Sequence, residues 1–134
     1  MAATDLVYAD SSALVKLAVD EQETEALRAY VDRATFELIS SVLAIVEVQR
    51  GIRLADLRTP VRTAHDVLDR VLLIDLDRGL LHDAVSFTSS RVRSLDAIHL
   101  VSARRSGARQ MLVYDRRLAE AASAAGLEVL QPGV

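Results

Sequence analysis

Five short apolar runs alternate along this sequence with longer amphipathic segments, one or two between each run and the next. Several of these runs are rich in branched residues, as buried strands are. Strands that are apolar along their whole length, with helices between them, indicate a parallel sheet covered on both faces. The sequence therefore predicts an α/β protein, a three-layer α/β/α sandwich around a central parallel sheet. The predicted strands are residues 6–9, 37–41, 71–74, 111–114 and 127–130.

The segments between these runs have the periodicity and the end signals of helices. In the second of them, Leu27 and Tyr30 share one helical face, and Gly107 stands where a C-terminal cap is expected. Because 134 residues without a repeat or a linker make one ordinary domain, we expect a single domain over residues 1–134. The predicted helices are residues 11–19, 21–34, 42–55, 60–69, 77–88, 94–106 and 116–125.

The composition excludes several classes of protein. There is no cysteine, which excludes disulfide scaffolds, thiol catalysis, iron–sulfur clusters and cysteine zinc sites. The first residues lack the basic and apolar segments of a signal peptide. No uncharged apolar run approaches the roughly 18–20 residues that a membrane span needs. We therefore expect a soluble, cytoplasmic protein with no membrane partner.

The charges are unevenly distributed along the sequence. The formal net charge of −3 argues at first against a nucleic-acid partner. Between Ser89 and Arg117, however, there are seven arginines and only two acidic residues. This asymmetry is compatible with a basic face on an acidic protein, and equally with ordinary solvated helix faces. Lys16 is the only lysine, so nearly all positive charge is guanidinium, which suits bidentate contacts with phosphate.

Four acidic residues stand near the predicted carboxyl ends of the strands, where open parallel sheets place their functional sites. Asp10 directly follows the first strand, and Asp115 the fourth. Asp96 lies in the first turn of a helix, and Glu47 lies within an apolar stretch that has no basic residue. Each aspartate taken singly is also a favourable helix cap or first-turn residue. A fifth residue of this kind, Asp77, is interpreted as a cap alone.

Taken together, the carboxylates predict a cation site. If they converge, their mutual repulsion in a partly desolvated cleft would be destabilising without a cation. Oxygen ligands without His or Cys suit Mg²⁺ or Mn²⁺, and such an ion activates water and stabilises the charge that develops on a phosphodiester. We therefore interpret Asp10, Glu47, Asp96 and Asp115 as a site for Mg²⁺, with Mn²⁺ as a substitute, although sequence spacing alone does not prove that they converge.

Each acidic residue of this set lies in a recognisable segment. The segments are residues 8–17 (YADSSALVKL), 46–50 (VEVQR), 93–100 (RSLDAIHL) and 113–122 (VYDRRLAEAA). In order and spacing they resemble the motifs of PIN-domain proteins, specifically the VapC toxins of bacterial toxin–antitoxin pairs. The resemblance covers essentially the whole chain. The first and third segments are quite specific, and the second is weak when read alone.

The resemblance implies a single PIN-like domain with Mg²⁺-dependent endoribonuclease activity, which hydrolyses RNA phosphodiester bonds and leaves 5′-phosphate and 3′-hydroxyl ends. It assigns the catalytic and metal-binding roles to Asp10, Glu47, Asp96 and Asp115. It also implies a homodimer and a small VapB-like antitoxin, whose C-terminal segment lies along an apolar groove and brings basic side chains to the acidic cluster. Candidates for this groove, each also compatible with ordinary core, are Leu14, Leu17, Val19, Leu43, Val46 and Leu54.

Other polar residues near the motifs have open roles. The family often has a Thr or Ser where this sequence has Val113, so the sequence supports no hydroxyl role at that position. Ser11 and Ser12 offer hydroxyls to the site, although a serine after a strand commonly just begins a helix. His99 is interpreted as a structural or substrate-adjacent histidine. Arg116 either contacts phosphate or is solvated.

Two other classes of protein are disfavoured, and one alternative remains. Haloacid-dehalogenase phosphatases also have an Asp after the first strand, but they need a second Asp where this sequence has Ser12. Phospho-receiver modules have a similar acidic pocket and a Lys after a late strand, whereas the one lysine here is Lys16. The remaining alternative is a catalytically inert PIN-like module that binds RNA or protein, which metal-dependent cleavage would distinguish.

Overall fold

A five-stranded, entirely parallel sheet forms the centre of the protein. A computed structural model describes residues 5–134. Every strand ends within two residues of its predicted bounds, and the predicted α/β/α sandwich is confirmed. The strands are β1 (Asp5–Ala9), β2 (Phe36–Ser41), β3 (Leu72–Ile74), β4 (Gln110–Leu112) and β5 (Glu128–Leu130). Their order across the sheet is β3-β2-β1-β4-β5, so the first strand lies in the middle.

The helices occupy the segments between the strands, as predicted. A short 3₁₀ helix, Val85–Phe87, follows the fifth α-helix. Among the described helices, none combines the length and the apolar character that a membrane crossing requires. The α-helices are α1 (Ser11–Ala18), α2 (Thr24–Asp32), α3 (Ala44–Ala55), α4 (Val61–Leu68), α5 (Arg78–Ala84), α6 (Ser94–Ser106) and α7 (Arg116–Ala124).

The two faces of the sheet pack into different hydrophobic cores. In β1, Val7 and Ala9 lie in a core shared with α1, α2, α3 and α4. Tyr8 points the other way, into a core shared with α6 and α7. Alternate residues of a strand face opposite sides of a sheet, so burial on both sides explains why this strand is apolar throughout. Leu14 is fully buried in the first core, so of the two places left open for it, the groove and the ordinary core, it occupies the core.

Polar side chains shorten two of the predicted elements. The fourth strand was predicted to continue to Tyr114, but the backbone N–H of Tyr114 donates to Ser12 Oγ at 2.9 Å instead of to a neighbouring strand. The third helix was predicted to begin two residues earlier than it does. There, the N–H of Leu43 donates to Ser41 Oγ at 3.1 Å. In both places a serine hydroxyl takes a backbone hydrogen bond and turns the chain.

Close packing of α1 against α3 depends on Gly51. A Cβ atom added there would lie 2.7 Å from Cγ2 of Val15, whose branched side chain has little rotamer freedom. We expect Gly51→Ala to lower the free energy of unfolding by roughly 1–2 kcal/mol, even after the helix propensity gained by removing glycine. Urea denaturation measures this change. The control is Gly79→Ala, where the nearest atom is an oxygen of the exposed Asp77 carboxylate at the longer distance of 3.3 Å and a much smaller change is expected. If Gly51→Ala were as stable as the wild type, the close packing of α1 against α3 at this position would be contradicted.

Candidate active site

Asp10 is buried at the carboxyl end of the central strand, where it caps α1. Its Oδ1 accepts hydrogen bonds from the backbone N–H of Ala13 at 3.3 Å and from the hydroxyl of Ser12 at 2.6 Å. The hydrogen bonds found among residues 5–134 all use this one oxygen. Capping and a functional role are therefore compatible in the same carboxylate, because Oδ2 is left for another partner.

Ser12 connects Asp10 to Asp115. Its hydroxyl donates to Asp10 and accepts from the backbone N–H groups of Tyr114, at 2.9 Å, and of Asp115, at 3.3 Å. Val113 is fully buried in the core on the other face of the sheet, so its side chain does not replace the hydroxyl that the family often has there. The hydroxyl that joins the ends of β1 and β4 comes from Ser12, a role that the sequence left open.

Asp115 is a helix cap as well as a predicted site residue. Its Oδ1 accepts the backbone N–H of Leu118 at 2.9 Å, at the start of α7. The side chain is exposed at the carboxyl end of β4. As with Asp10, capping engages one oxygen only among the hydrogen bonds of the described residues. The two aspartates that follow neighbouring strands thus share both their local role and their connection through Ser12.

Glu47 lies in the first turn of α3, where its carboxylate is held by two donors. Its Oε1 accepts from the Ser11 hydroxyl at 2.7 Å and from Nε2 of His99 at 2.8 Å. His99 is 3% exposed, and its Nδ1 lies 2.7 Å from the hydroxyl oxygen of Tyr8. The contact between Glu47 and His99 was not predicted, because the two residues are on different helices and no spacing in the sequence relates them.

Asp96 has the weakest connection to the others. It is partly buried in the first turn of α6, one turn before His99, and its charge helps to raise the pKa of that histidine. In the described part of the chain it forms no hydrogen bond with the other three carboxylates. No three acidic or histidine side chains among residues 5–134 come close enough together to form a ready metal cage. Convergence of all four carboxylates on one ion therefore stays a prediction.

The pKa values of two carboxyl groups of the site, Asp10 and Glu47, are shifted in opposite directions. Burial raises the pKa of Asp10 to about 6, although the hydrogen bond from Ser12 and the nearby His99 partly oppose this effect. Burial also disfavours the charged form of Glu47, but His99 and Ser11 outweigh it and lower the pKa of that carboxyl. Burial by itself would lower the pKa of His99, yet Glu47 raises it. Among the described residues, Glu47 has a histidine partner, whereas Asp10 forms no salt bridge.

A bound cation would compensate the charge of the buried Asp10 carboxylate. A buried carboxylate without a positive partner favours its neutral form unless a cation lies nearby. The available donors, which are carboxylate and hydroxyl oxygens, are those that Mg²⁺ and Mn²⁺ prefer, and Mg²⁺ usually keeps several of its own water ligands. Ligands set somewhat apart are compatible with such a hydrated ion. The donor chemistry of the site therefore fits a hard divalent cation.

A shallow surface pocket of about 410 Å³ lies beside these residues and is lined in part by Glu47, Asp115 and Lys16. The Lys16 ammonium contacts the carboxylates of Glu23 at 2.9 Å and Glu21 at 3.4 Å. It is therefore neutralised by the segment between α1 and α2. The only lysine of the chain borders the pocket without compensating the charge of Asp10.

Ser12→Ala is expected to destabilise the protein. The change removes the acceptor for two backbone N–H groups and one donor to Asp10. We expect the free energy of unfolding to fall by about 1–3 kcal/mol, because partly buried donors lose their partner. Chemical denaturation beside Ser86→Ala measures the effect, since the exposed Ser86 hydroxyl donates only to the Asp83 carbonyl. If both variants unfolded at the same denaturant concentration, the bridging role of Ser12 would be excluded.

Comparison with known sequences relates the chain to one family. The PIN domain family matches residues 7–124. Ribonuclease VapC46 of Mycobacterium tuberculosis is 40% identical over 129 residues, which cover 94% of this chain and 97% of that protein. Ribonuclease VapC35 of the same species is 36% identical over 133 residues, which cover 96% and 98% of the two chains. The relatives therefore align along nearly their whole length.

Solved structures with the same fold have more distant sequences. VapC20 of Mycobacterium tuberculosis, described as a sarcin–ricin loop cleaving toxin, superposes with a TM-score of 0.74 at 14% identity over 94% of this chain and 99% of that one. FitAB bound to a DNA fragment superposes with a TM-score of 0.68 at 14% identity over 96% of each chain. These similarities confirm the fold, and the sequence relatives identify its branch. The chain belongs to the PIN-domain family and, within it, to the VapC ribonucleases.

Proposed function

We propose that the protein is the toxin of a type II toxin–antitoxin pair and acts as a Mg²⁺-dependent endoribonuclease, with Mn²⁺ able to replace Mg²⁺. The residues that would hold the ion are Asp10, Glu47, Asp96 and Asp115. The observation that carries the proposal is the buried Asp10 carboxylate, which ends the central strand and has no ion-pair partner in the described residues. The names of the relatives, which are ribonucleases, support the same activity.

The proposed reaction is hydrolysis of an RNA phosphodiester. A divalent cation held by these carboxylates would make water more acidic and would stabilise the negative charge that develops on the phosphoryl oxygens. Water oxygen bonds to phosphorus, and the bond from phosphorus to the 3′-oxygen breaks. The 3′-oxygen takes a proton and becomes a hydroxyl, while the phosphate stays on the 5′ end of the other fragment. The exposed Arg116 and Arg117, next to Asp115, are the side chains that we expect to contact RNA phosphates.

The decisive experiment for this activity is incubation of RNA with the purified protein and Mg²⁺. We expect discrete RNA fragments that carry 5′-phosphate and 3′-hydroxyl ends. RNA that is retained by the protein but stays uncut would instead support the inert PIN-like module. A filter-binding measurement under the same conditions separates the two outcomes.

An exposed apolar surface supports the proposed partners. Val46 and Leu54 on α3, which were predicted for the antitoxin groove, are 69% and 70% exposed. They line one surface pocket together with Ile45 and Leu57, which are 42% and 81% exposed. Isolated apolar side chains on a surface are ordinary, whereas a contiguous group indicates an interaction site. We propose that an antitoxin covers this surface and brings a guanidinium to the acidic residues, where it competes with Mg²⁺.

The partner proposal is tested by co-expression. Expression of the protein alone is expected to arrest growth, and co-expression with the product of the adjacent open reading frame is expected to restore it through a stable complex. Sedimentation of the purified protein is expected to show a homodimer. A monomer at micromolar concentration that is harmless when expressed alone would contradict both parts.

A further inference from the structure

A buried chain of hydrogen bonds connects the middle of the sheet to Glu47. The Tyr8 hydroxyl oxygen lies 2.7 Å from Nδ1 of His99, whose Nε2 lies 2.8 Å from Oε1 of Glu47. Tyr8 and His99 are 0% and 3% exposed, and their rings meet edge to face with centroids 5.8 Å apart. The three side chains come from β1, α6 and α3, so their contact is a product of the tertiary fold.

His99 and Ser11 both contact the same oxygen of Glu47. A carboxylate oxygen only accepts hydrogen bonds, so the proton in this contact is carried by Nε2. The same Oε1 also accepts the Ser11 hydroxyl at 2.7 Å. Two donors on one oxygen restrain the orientation of the carboxylate. The hydrogen bonds of residues 5–134 leave Oε2 without a donor.

Two buried serine hydroxyls, those of Ser40 and Ser102, lie near the Tyr8 hydroxyl. Of the polar groups around Tyr8, His99 is the one that joins it to a carboxylate, and that carboxylate is only half-buried. The chain of hydrogen bonds therefore leads from the core to the edge of the site.

We propose that His99 and Tyr8 are positioning residues for Glu47, which hold its Oε1 so that Oε2 is available to a divalent cation. The proposal rests on the proposed function, because that function gives Glu47 the role of a metal ligand. Carboxylate ligands are commonly oriented by hydrogen bonds from residues that do not touch the metal. Removal of such a partner typically weakens metal binding by about 10- to 100-fold.

Calorimetric titration of Mn²⁺ into the RNA-free protein tests this inference. We expect the Kd for Mn²⁺ to rise by roughly 10- to 100-fold in His99→Leu and by a smaller factor in Tyr8→Phe. His99→Gln, whose amide N–H₂ can donate to Glu47, is expected to recover most of the affinity. The unfolding temperature of each metal-free variant is measured in parallel. A merely structural role would lower that temperature and leave the Kd of the folded protein unchanged.

Tyr30→Phe is the matched control, because it removes the hydroxyl of a tyrosine that packs against Phe36 outside this hydrogen-bonded chain. Its Kd is expected to equal that of the wild type. If His99→Leu does not fold, Tyr8→Phe decides, and an unchanged Kd overturns the inference. A wild-type protein that neither binds Mn²⁺ nor cleaves RNA would overturn the proposed function itself. If the wild type binds Mn²⁺ and cleaves RNA, but the folded variants have the same Kd for Mn²⁺ as the wild type, only the positioning role is overturned.

Discussion

Asp10→Asn is expected to lower RNA cleavage by at least about 100-fold, which is the scale of the loss when one group that stabilises developing charge is removed from an active site. It is also expected to make the metal-free protein more stable. Asparagine keeps the oxygen that accepts from Ala13 and from Ser12, so the helix cap survives. The charge that is lost is one that the fold buries at 5% exposure. The cleavage rate and the free energy of unfolding therefore change in opposite directions.

The pH dependence of this stability difference isolates Asp10. Its pKa is about 6 in the folded protein and near 4 in an unfolded chain. Below about pH 4 the carboxyl is protonated in both states, and burial carries no charge penalty. As the pH rises from about 4 to about 6, the unfolded chain ionises first, and folding is progressively disfavoured. Two pKa units correspond to about 3 kcal/mol, which is the largest advantage expected for Asp10→Asn above pH 6.

Asp77→Asn is the matched control for this variant. Asp77 also caps a helix, and its Oδ1 accepts the N–H of Leu80 at 2.7 Å, but it is exposed and its pKa is lowered rather than raised. We expect unchanged cleavage and no gain in stability at neutral pH. Denaturation curves of both variants and the wild type between pH 4 and 8 measure the difference. If Asp10→Asn were no more stable than the wild type at any pH, burial of the Asp10 charge would not destabilise the metal-free protein.

Removal of divalent cations is expected to abolish cleavage and lower stability. EDTA should stop the reaction, and added Mg²⁺ or Mn²⁺ should restore it. At neutral pH, an ion present at 100 times its Kd stabilises the folded state by about 2.7 kcal/mol. Protons compete with the ion for Asp10, so this stabilisation should weaken as the pH falls below about 6. Thermal unfolding with and without the ion, at pH 7.5 and pH 5, measures both effects.

Asp10→Asn is again the informative comparison. Its unfolding temperature should respond little to Mg²⁺, whereas Asp77→Asn should respond as the wild type does. Cleavage that continued undiminished in EDTA would exclude the metal-dependent reaction. If Mg²⁺ raised the unfolding temperature of Asp10→Asn as much as it raises that of the wild type, the ion would bind at a site that does not include Asp10.

The layered fold and half of the site follow from local sequence patterns. Strands buried on both faces are apolar at every position, which is why β1 could be recognised without knowledge of its neighbours. Asp10 and Asp115 each stand where a strand ends and a helix begins, and local chemistry alone makes them caps. Their common edge then follows from the rule that parallel strands direct their carboxyl ends the same way.

The remaining features depend on contacts between distant parts of the chain. Ser12 and Tyr114 are separated by 102 positions, and Glu47 and His99 by 52. No periodicity relates such residues, so the sequence indicated their polarity but not their partners. The choice between groove and core for Leu14 stayed open for a related reason. A helix that packs against the sheet and against α3 and α4 buries more of its circumference than its own apolar stripe indicates.

Sequencing of RNA ends after induction of the protein tests whether it is an endoribonuclease that depends on Asp10. Cells that express the wild type are compared with cells that express equal amounts of Asp10→Asn. We expect new 5′-phosphate ends, each paired with an upstream 3′-hydroxyl end, in the wild type and their absence in the variant. The same ends in both samples, or no new ends in either, would contradict an endoribonuclease whose reaction depends on Asp10.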